Sequence, residues 1–353
     1  MLIIPSTDLA AALSQAAKIV ETKNTLPILA MVRLSCDNDT LEITTSNLDV
    51  EYRQSIPCSV KTPFQCAVDA KRLAAMASAA SGDMTLALDG SILSVKAKSR
   101  WKVPAVPVDD FPLMPVSDLC KPMVFNPGPL VKRLLWAAST EVTRAYLSGI
   151  YMNEDGGKAH YIASNGYVMP MVASADKWPK SSPNVILAPG FLKALPDDTG
   201  KLEWDDHKVR FTSGDITVTG KVIEGRFPDW RNIIPAPCEP YAVDAEALAG
   251  AVRRVRLASD AKERKLRITR GDGLLGVRIE GTSGFEGSED VEADCSAGFE
   301  MGVNADYIVG MLAALDSEAI TVEQSAPGST MVIRPTVQPS GESVTGLVWP
   351  LRI

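Results

Sequence analysis

The sequence predicts an α+β protein built from three tandem copies of one unit. Two observations favour this fold class: a meander of β-strands and a pair of short helices both recur, each at a spacing of about 120 residues. The length of 353 residues also exceeds what a single hydrophobic core usually supports. We therefore expect domains at 1–121, 122–239 and 240–353.

The strand meander is clearest over Lys201–Pro235, where apolar and polar residues alternate and Gly or Asp marks each turn. Met84–Pro112 repeats the same order of strands and turns and also closes on a Phe-Pro step. A weaker third copy runs from Ala319 to the C-terminus. Period-two alternation predicts antiparallel strands that bury one face.

Two helices are predicted in each unit, from apolar residues at helical spacing. The first helices start near residues 7, 129 and 244, and the second near residues 69, 189 and 304. Ser6 or Thr7 is the expected N-cap of the first helix, and Asp69 that of the second. Between the two helices of each unit lie strand-rich blocks, at 30–52, 147–171 and 266–279.

Composition indicates a soluble cytoplasmic protein. The net charge is −7, the apolar content is 46%, and no apolar run approaches the ~18 residues that would span a bilayer. The N-terminus enters its first helix without the basic region of a signal peptide. The six cysteines form no CxxC pair, so we expect reduced thiols rather than disulfides or a zinc site.

Catalytic motifs are weak in this chain. Gly271–Gly276 (GDGLLG) is spelled like a dinucleotide-binding loop, but alternating residues on both sides predict a hairpin turn. Asp205–His207 is predicted as a solvated hairpin tip rather than a metal site, and the other histidine, His160, is also expected in a turn. We expect no enzyme, no cofactor and no metal; an enzyme that binds a nucleotide at the Gly271 loop is the alternative.

Basic residues recur on or near the predicted helices. In an acidic chain, such residues together would form a basic face for a phosphate backbone, although a solvated helix surface is the alternative for any one of them. The last predicted helix, Asn304–Leu315, carries none. The residues expected to face DNA are Lys23, Lys71, Arg72, Lys132, Arg133, Lys193, Arg253 and Arg254.

Four stretches of the chain are distinctive: Thr25–Leu29 (TLPIL), Glu224–Trp230 (EGRFPDW), Val303–Tyr307 and Pro350–Ile353. Together they resemble the bacterial β sliding clamps, which are the processivity subunits of replicative DNA polymerases. The resemblance covers the whole length, and its most specific part is the Gly-Arg-Phe-Pro-Asp run.

The resemblance implies three DNA-clamp domains per chain and a head-to-tail homodimer ring, with helices inside, sheets outside and duplex DNA in the hole. Size agrees: domains about 34 Å across leave a gap of about 5 Å in a ring of three but a hole of about 34 Å in a ring of six. The expected dimer interface includes Trp101 and Leu257. A clamp-like scaffold that binds proteins but no longer encloses DNA is the alternative.

The resemblance also implies a hydrophobic cleft between the second and third domains that receives peptides from the replicative polymerase, the clamp loader and other proteins with a clamp-binding motif. The implied cleft residues are Leu147, Ser164, Gly166, Tyr167, Val168, Met169, Pro228, Asn232, Ile233, Asn304, Tyr307, Thr330, Leu347, Trp349, Pro350, Leu351 and Arg352. The chain departs from the family in two places. Tyr167-Val168-Met169 occupies a segment where His-Arg-Leu is common, and Glu263 occupies a position that is apolar in relatives. Both changes bear on which peptides the cleft prefers.

Overall fold

The structure is a computed structural model that describes residues 1–20, 26–115, 119–259, 264–281, 284–296, 298 and 300–352. It divides into two compact units. Unit 1 comprises 1–128, 179–182 and 187–222, and unit 2 comprises 129–178, 183–186 and 223–353. Sheets with helices packed on them confirm the α+β class, and the three-domain division stays a prediction.

The α-helices lie where the apolar spacing predicts them. They are α1 (Ser6–Ala16), α2 (Ala70–Ala79), α3 (Pro127–Leu134), α4 (Pro189–Ala194), α5 (Ala245–Val255) and α6 (Ala305–Leu315). Asp69 caps α2 as predicted, because its carboxylate accepts a hydrogen bond from the backbone N–H of Arg72 at 2.8 Å. The cap predicted at Ser6 or Thr7 is wrong: Pro5 precedes α1 without a side-chain cap, and the Ser6 N–H donates to the carbonyl of Gly82 instead.

Strands make up most of the remaining structure. In chain order they are β1 (Leu2–Pro5), β2 (Met31–Asp37), β3 (Thr40–Ser46), β4 (Val50–Pro57), β5 (Ser59–Val60), β6 (Phe64–Asp69), β7 (Asp83–Asp89), β8 (Ile92–Lys96), β9 (Arg100–Pro104), β10 (Met123–Phe125), β11 (Ile150–Asp155), β12 (Lys158–Ile162), β13 (Val168–Lys177), β14 (Val185–Leu187), β15 (Gly200–Trp204), β16 (Lys208–Ser213), β17 (Ile216–Ile223), β18 (Pro240–Asp244), β19 (Lys265–Arg270), β20 (Leu274–Glu280), β21 (Glu286–Asp294), β22 (Glu300–Asn304), β23 (Ala319–Glu323), β24 (Met331–Pro335) and β25 (Glu342–Val348).

Unit 1 contains two antiparallel sheets. One has the order β5-β1-β7-β8-β9, and the other β6-β2-β3-β4-β17-β16-β15-β10. Helices α1 and α2 pack against each other, and they bury Leu9, Leu13 and Leu73. In the second sheet, β4 and β17 come from the first and second predicted repeats, so one sheet continues across their boundary.

Unit 2 repeats this plan with the later part of the chain. One antiparallel sheet has the order β11-β12-β13-β25-β24-β23-β18. A second has the order β22-β19-β20-β21, and the last residues of β21 also pair with β18. Helices α5 and α6 pack against each other and bury Leu248, Val252, Ile308 and Leu312. Here β13 and β25 continue one sheet across the second predicted boundary.

The structure places the predicted hairpin turns, His160 and the six cysteines. Asp205–His207 connects β15 to β16, and Gly271–Gly273 connects β19 to β20, so both are hairpin turns as predicted. The placement of His160 in a turn is wrong, because this residue lies within β12. All six cysteines are free thiols, as expected.

Candidate functional site

The residues of the implied cleft all fall in unit 2, where strands β13 and β25 pair. The register places Met169 opposite Leu347 and Val168 opposite Val348. Successive residues of a strand point to opposite faces. Met169, and not Val168, is the one that packs in an apolar cluster with Leu147 and Leu347. Val168 therefore supports the cleft from the other face of the sheet.

The apolar cluster beneath the cleft is a continuous floor. Its buried members are Leu147, Ile162, Met169, Met171, Ile186, Phe227, Trp230, Val332 and Leu347. Partly buried Tyr146, Ile233 and Trp349 pack against this floor. An apolar floor with partly accessible aromatic groups is suited to the apolar anchor residues of a peptide.

An aromatic wall stands beside this floor. The rings of Tyr167 and Tyr307 stack with their centroids 6.2 Å apart and their planes 18° apart. Tyr167 is 45% exposed. Burial raises the pKa of Tyr307 above its ordinary value, so its hydroxyl is neutral at pH 7; the side chain is hydrogen-bonded to Asn165. The wall is therefore neutral where basic side chains are common in the family.

The turn that presents Tyr167 is held by its own side chains. The Asn165 amide oxygen accepts from the backbone N–H groups of Tyr167 and Val168 at 2.9 and 3.1 Å. Gly166 has φ +90°, and a Cβ at this position would meet a guanidinium nitrogen of Arg144 at 3.1 Å. A glycine is therefore favoured at position 166 both by its φ and by the nearby guanidinium.

The C-terminal segment is attached to the same region through its backbone. The Trp349 N–H donates to the Tyr167 carbonyl at 3.0 Å, and the Leu351 N–H donates to the Gly302 carbonyl at 2.7 Å. Pro350 is half-buried and Arg352 is exposed. The segment is thus positioned as one side of the cleft.

The other implied cleft residues have varied roles. The Asn304 side chain caps α6 by accepting from the Asp306 N–H at 2.8 Å, and the Asn232 amide donates to Asp229 at 2.9 Å. Ser164 is buried, and its hydroxyl accepts from the Gly166 N–H. Pro228 is exposed, and Thr330 is half-buried.

The residues expected to face DNA differ in their exposure and in whether they form ion pairs within the chain. Lys71, Arg72, Lys132 and Lys193 are exposed, whereas the Arg133 side chain is 15% exposed and pairs with Glu342 at 2.6 Å. Two arginines of α5 also form ion pairs. Arg253 pairs with Glu246 at 3.3 Å, and Arg254 with Glu289 at 2.6 Å. Lys23 and Glu263 lie outside the described residues.

The residues expected at a dimer interface lie on an edge strand and at the end of a helix. Trp101 is in β9 and partly buried, and Leu257, just after α5, is 83% exposed. Phe285, which precedes β21, is 68% exposed and was missed by the sequence analysis. Its signal in the sequence is a single aromatic residue within a run of Gly, Ser and acidic residues.

A second group missed by the sequence analysis lies next to the cleft. The Tyr151 and Phe227 rings stack at 4.5 Å with planes 6° apart. The His160 and Trp230 rings lie 5.3 Å apart, and the Arg231 guanidinium lies 4.7 Å from the Trp230 ring centre. Burial lowers the pKa of His160 despite the nearby Asp155. Strand alternation marks which residues are buried but not which rings meet, so the sequence carries no signal for these stacks.

Two kinds of feature are absent from the described residues. Within those ranges, no three His, Cys, Asp or Glu side chains are grouped so that they could hold a metal ion. No helix among them is long and apolar enough to cross a bilayer.

Family models match the two ends of the chain. The model of the DNA polymerase III beta subunit N-terminal domain matches residues 1–115, and that of its C-terminal domain matches residues 231–352. The Beta sliding clamp of Caulobacter vibrioides is 28% identical over 363 aligned residues, which cover 97% of each chain. That of Pseudomonas aeruginosa is 25% identical and covers 96% of this chain and 95% of its own length.

Solved structures agree over the whole length. The structure of Caulobacter crescentus pol III beta has a TM-score of 0.90 and 28% identity to this chain, and the match covers 100% of both chains. A second structure, of the C. crescentus beta sliding clamp with PEG bound to a putative beta-motif tethering region, has a TM-score of 0.91 and 27% identity, covering 100% of this chain and 98% of its own. Since both ends match one family and its clamps match in between, the chain belongs to the DNA polymerase III beta subunit family, the family of the bacterial beta sliding clamps.

Proposed function

We propose that this chain is a DNA polymerase processivity factor. Two copies close head to tail into a ring that encircles duplex DNA and slides on it. The cleft of unit 2 tethers the replicative polymerase, the clamp loader and other proteins that carry a clamp-binding motif. The protein works in the cytoplasm as a non-catalytic tether, with domains at 1–121, 122–239 and 240–353.

The main support for the ring is a strand pairing that occurs twice in the chain. The third strand after the first helix of one repeat pairs with the last strand of the next repeat: β4 with β17, and β13 with β25. By the same rule, β21 pairs with the last strand of a repeat that follows the third. Strand β9, the last strand of the first repeat, pairs with β8 alone among the described strands, so β9 of a second copy can supply that partner.

Both edges that this rule requires are open within the described part of the chain. Strand β9 pairs with β8 on one side only. Strand β21 pairs with β20 along its length, while on its other side only Ala293 and Asp294 pair with β18. Each copy has one edge of each kind, so two copies close on each other twice with two-fold symmetry.

Charge and apolar exposure favour pairing of these two edges. Strand β21 is acidic, whereas β9, the turn before it and the end of β8 are basic. An edge of β21 therefore attracts an edge of β9 from another copy, while two edges of the same kind would repel each other. The acidic residues are Glu286, Glu289, Asp290, Glu292 and Asp294; the basic residues are Lys96, Lys98, Arg100 and Lys102. Leu257 and Phe285, 83% and 68% exposed, would be covered by the partner.

Enclosure explains how an acidic chain works on DNA. A ring stays on DNA without strong phosphate contacts, and sliding requires that no base is read. The ion pairs of Arg133, Arg253 and Arg254 leave little free positive charge on those residues, which suits weak contact. Exposed Lys132 and Lys193 are the simplest candidates for such contacts.

The test compares retention on circular and linear DNA. Labelled protein is loaded onto a nicked plasmid by a clamp loader and separated from free protein by gel filtration. We expect protein to remain with the circle and to be lost once the plasmid is cut, since a ring can slide off an end. Equal retention on both forms, or on neither, would contradict enclosure.

A clamp-like scaffold that no longer encloses DNA is the second candidate. It is favoured by the internal ion pairs of three of the arginines expected to face DNA. Light scattering at micromolar concentration separates the two: a dimer supports the ring, and a monomer that still binds peptides supports the scaffold.

A further inference from the structure

A second cavity adjoins the cleft on unit 2. Its volume is about 440 Å³, and it shares the exposed Pro228 with the cleft. None of the other implied cleft residues lines it. The lining residues are Tyr151, Asn184, Gly225, Arg226, Phe227, Pro228, Asp229, Trp230 and Arg231.

The cavity and the cleft lie over the same face of one sheet. Residues directly opposite each other in an antiparallel pair share a face, as do residues two apart on one strand. Tyr151 is opposite Ile162, Ile162 is opposite Met171, and Met169 is opposite Leu347. This face therefore runs without a break from the cleft floor to the Tyr151 wall of the cavity. Ile162 and Met171 on this face are buried, so a peptide longer than the cleft would reach the cavity at its surface, past the exposed Pro228 that both share.

The walls of the cavity are held in place by ring contacts. Tyr151 is stacked on Phe227 and hydrogen-bonded to Asn184. Trp230 is 7% exposed, and its ring packs against both the His160 ring and the Arg231 guanidinium. Because these side chains are already ordered, little further conformational entropy is lost when a ligand binds.

The two arginines of the cavity differ in their partners. Arg231 is neutralised by Asp155, with nitrogen–oxygen distances of 2.6 and 2.9 Å. The carboxylate of Asp229 accepts from Asn232 and lies 3.8 Å from Arg231. Arg226 is exposed, and no acidic side chain of the described residues lies within ion-pair distance of it.

The backbone just before Arg226 packs closely against Tyr146. The preceding Gly225 has φ +143°, and a Cβ there would meet the Tyr146 Cβ at 3.0 Å. The glycine therefore allows the chain to lie directly against Tyr146, which packs on the cleft floor. An exposed guanidinium with no acidic partner among the described residues, on a cavity also lined by Asn184 and aromatic rings, is suited to a carboxylate.

We propose that this cavity is a second subsite of the cleft and that Arg226 binds an acidic side chain next to the apolar anchors of the partner peptide. This inference rests on the proposed function, because the occupant is the same peptide that the cleft holds. Arg226 thus selects among partners: peptides with an acidic flank bind more tightly than peptides with a neutral or basic flank.

Fluorescence anisotropy on the full-length protein tests the subsite. The probes are labelled peptides with Leu and Phe anchors whose flanks on either side carry Glu, Gln or Lys. Of the two Glu-flanked peptides, the one that binds the wild type more tightly should lose affinity about three- to fivefold in Arg226→Ala, which is the size expected for an exposed ion pair. The affinity of the Gln-flanked peptide should not change. Lys158→Ala, which removes an exposed cation of β12 outside both sites, should change neither.

The charge swap gives an independent check. Arg226→Glu should reverse the order of preference, so that the Lys-flanked peptide binds more tightly than the Glu-flanked one. If the Gln-flanked peptide binds but Arg226→Ala affects all flanks equally or not at all, the subsite is refuted while the cleft stands. If no peptide binds the wild-type protein, the proposed function fails together with the subsite.

Discussion

Replacing Tyr167 with Ala tests the aromatic wall of the cleft. The substitution removes one ring of the stack with Tyr307, whose centroids are 6.2 Å apart. Since Tyr167 is 45% exposed, its removal leaves no buried cavity. We expect a loss of about 0.5–1.5 kcal/mol in the free energy of unfolding, the usual value of an aromatic pair. The protein therefore stays folded.

Peptide affinity should fall by more than stability does. An aromatic residue at the centre of an interface typically contributes about 1–2 kcal/mol when truncated, which corresponds to about 5- to 30-fold in Kd. Fluorescence anisotropy with a peptide carrying Leu and Phe anchors measures the change, and thermal denaturation measures stability. Tyr167→Phe keeps the ring and should bind as the wild type does. The reasoning would be refuted by wild-type affinity in Tyr167→Ala, or by an equal loss in Tyr167→Phe.

Three further predictions concern the C-terminus, the dimer and pH. Deleting Pro350–Ile353 should abolish peptide binding but leave the mass in light scattering that of a dimer, and retained affinity would show that the cleft is misplaced. Leu257→Ser should weaken the dimer at least fivefold, by more than about 1 kcal/mol, whereas Val337→Ser, which is 79% exposed and away from the proposed edges, should not. Burial lowers the pKa of His160, so the unfolded chain takes up its proton first and this residue's contribution to stability is lost as pH falls below about 6.5. His160→Gln should reduce the fall in the free energy of unfolding between pH 7.5 and 5.5 in denaturant titrations; identical falls would contradict this assignment.

The repeating framework was predictable because burial is periodic. Leu9 and Leu13 on α1, or Leu34 and Ile43 on neighbouring strands, are buried because their spacing matches a helix turn or a strand pleat. The hairpin at Asp205–His207 followed from turn residues between alternating strands. These signals are local, so one sequence suffices to find them.

Features that depend on distant partners could not be predicted. The first N–H of α1 is satisfied by the Gly82 carbonyl, and no local signal distinguishes that arrangement from a Ser6 cap. The sequence predicts Arg133 as an exposed helix cation, whereas in the structure it is mostly buried and pairs with Glu342. The stack of Tyr151 on Phe227 likewise joins two segments far apart in the chain. Membership of the cleft came from the family resemblance, which says where residues are but not which face of a strand each one uses.

The proposed ring closure could be inferred only from the sequence and the sheet topology together. The acidic run of β21 and the basic run around β9 are visible in the sequence. Only the pairings of β4 with β17 and of β13 with β25 indicate that these two runs should meet. The sequence supplied the charges, and the topology supplied the reason to join them.

Covalent closure of the ring on DNA tests the central claim most directly. In a Lys102→Cys, Glu292→Cys variant, the new thiols lie on β9 and β21, both exposed in the single chain. The variant is loaded onto a nicked circular plasmid, treated with a short bifunctional maleimide, and exposed to SDS. The account predicts crosslinked dimers that stay with the circle in SDS and are released when the plasmid is cut. Dimers crosslinked at both interfaces that SDS nevertheless removes from the intact circle would contradict it.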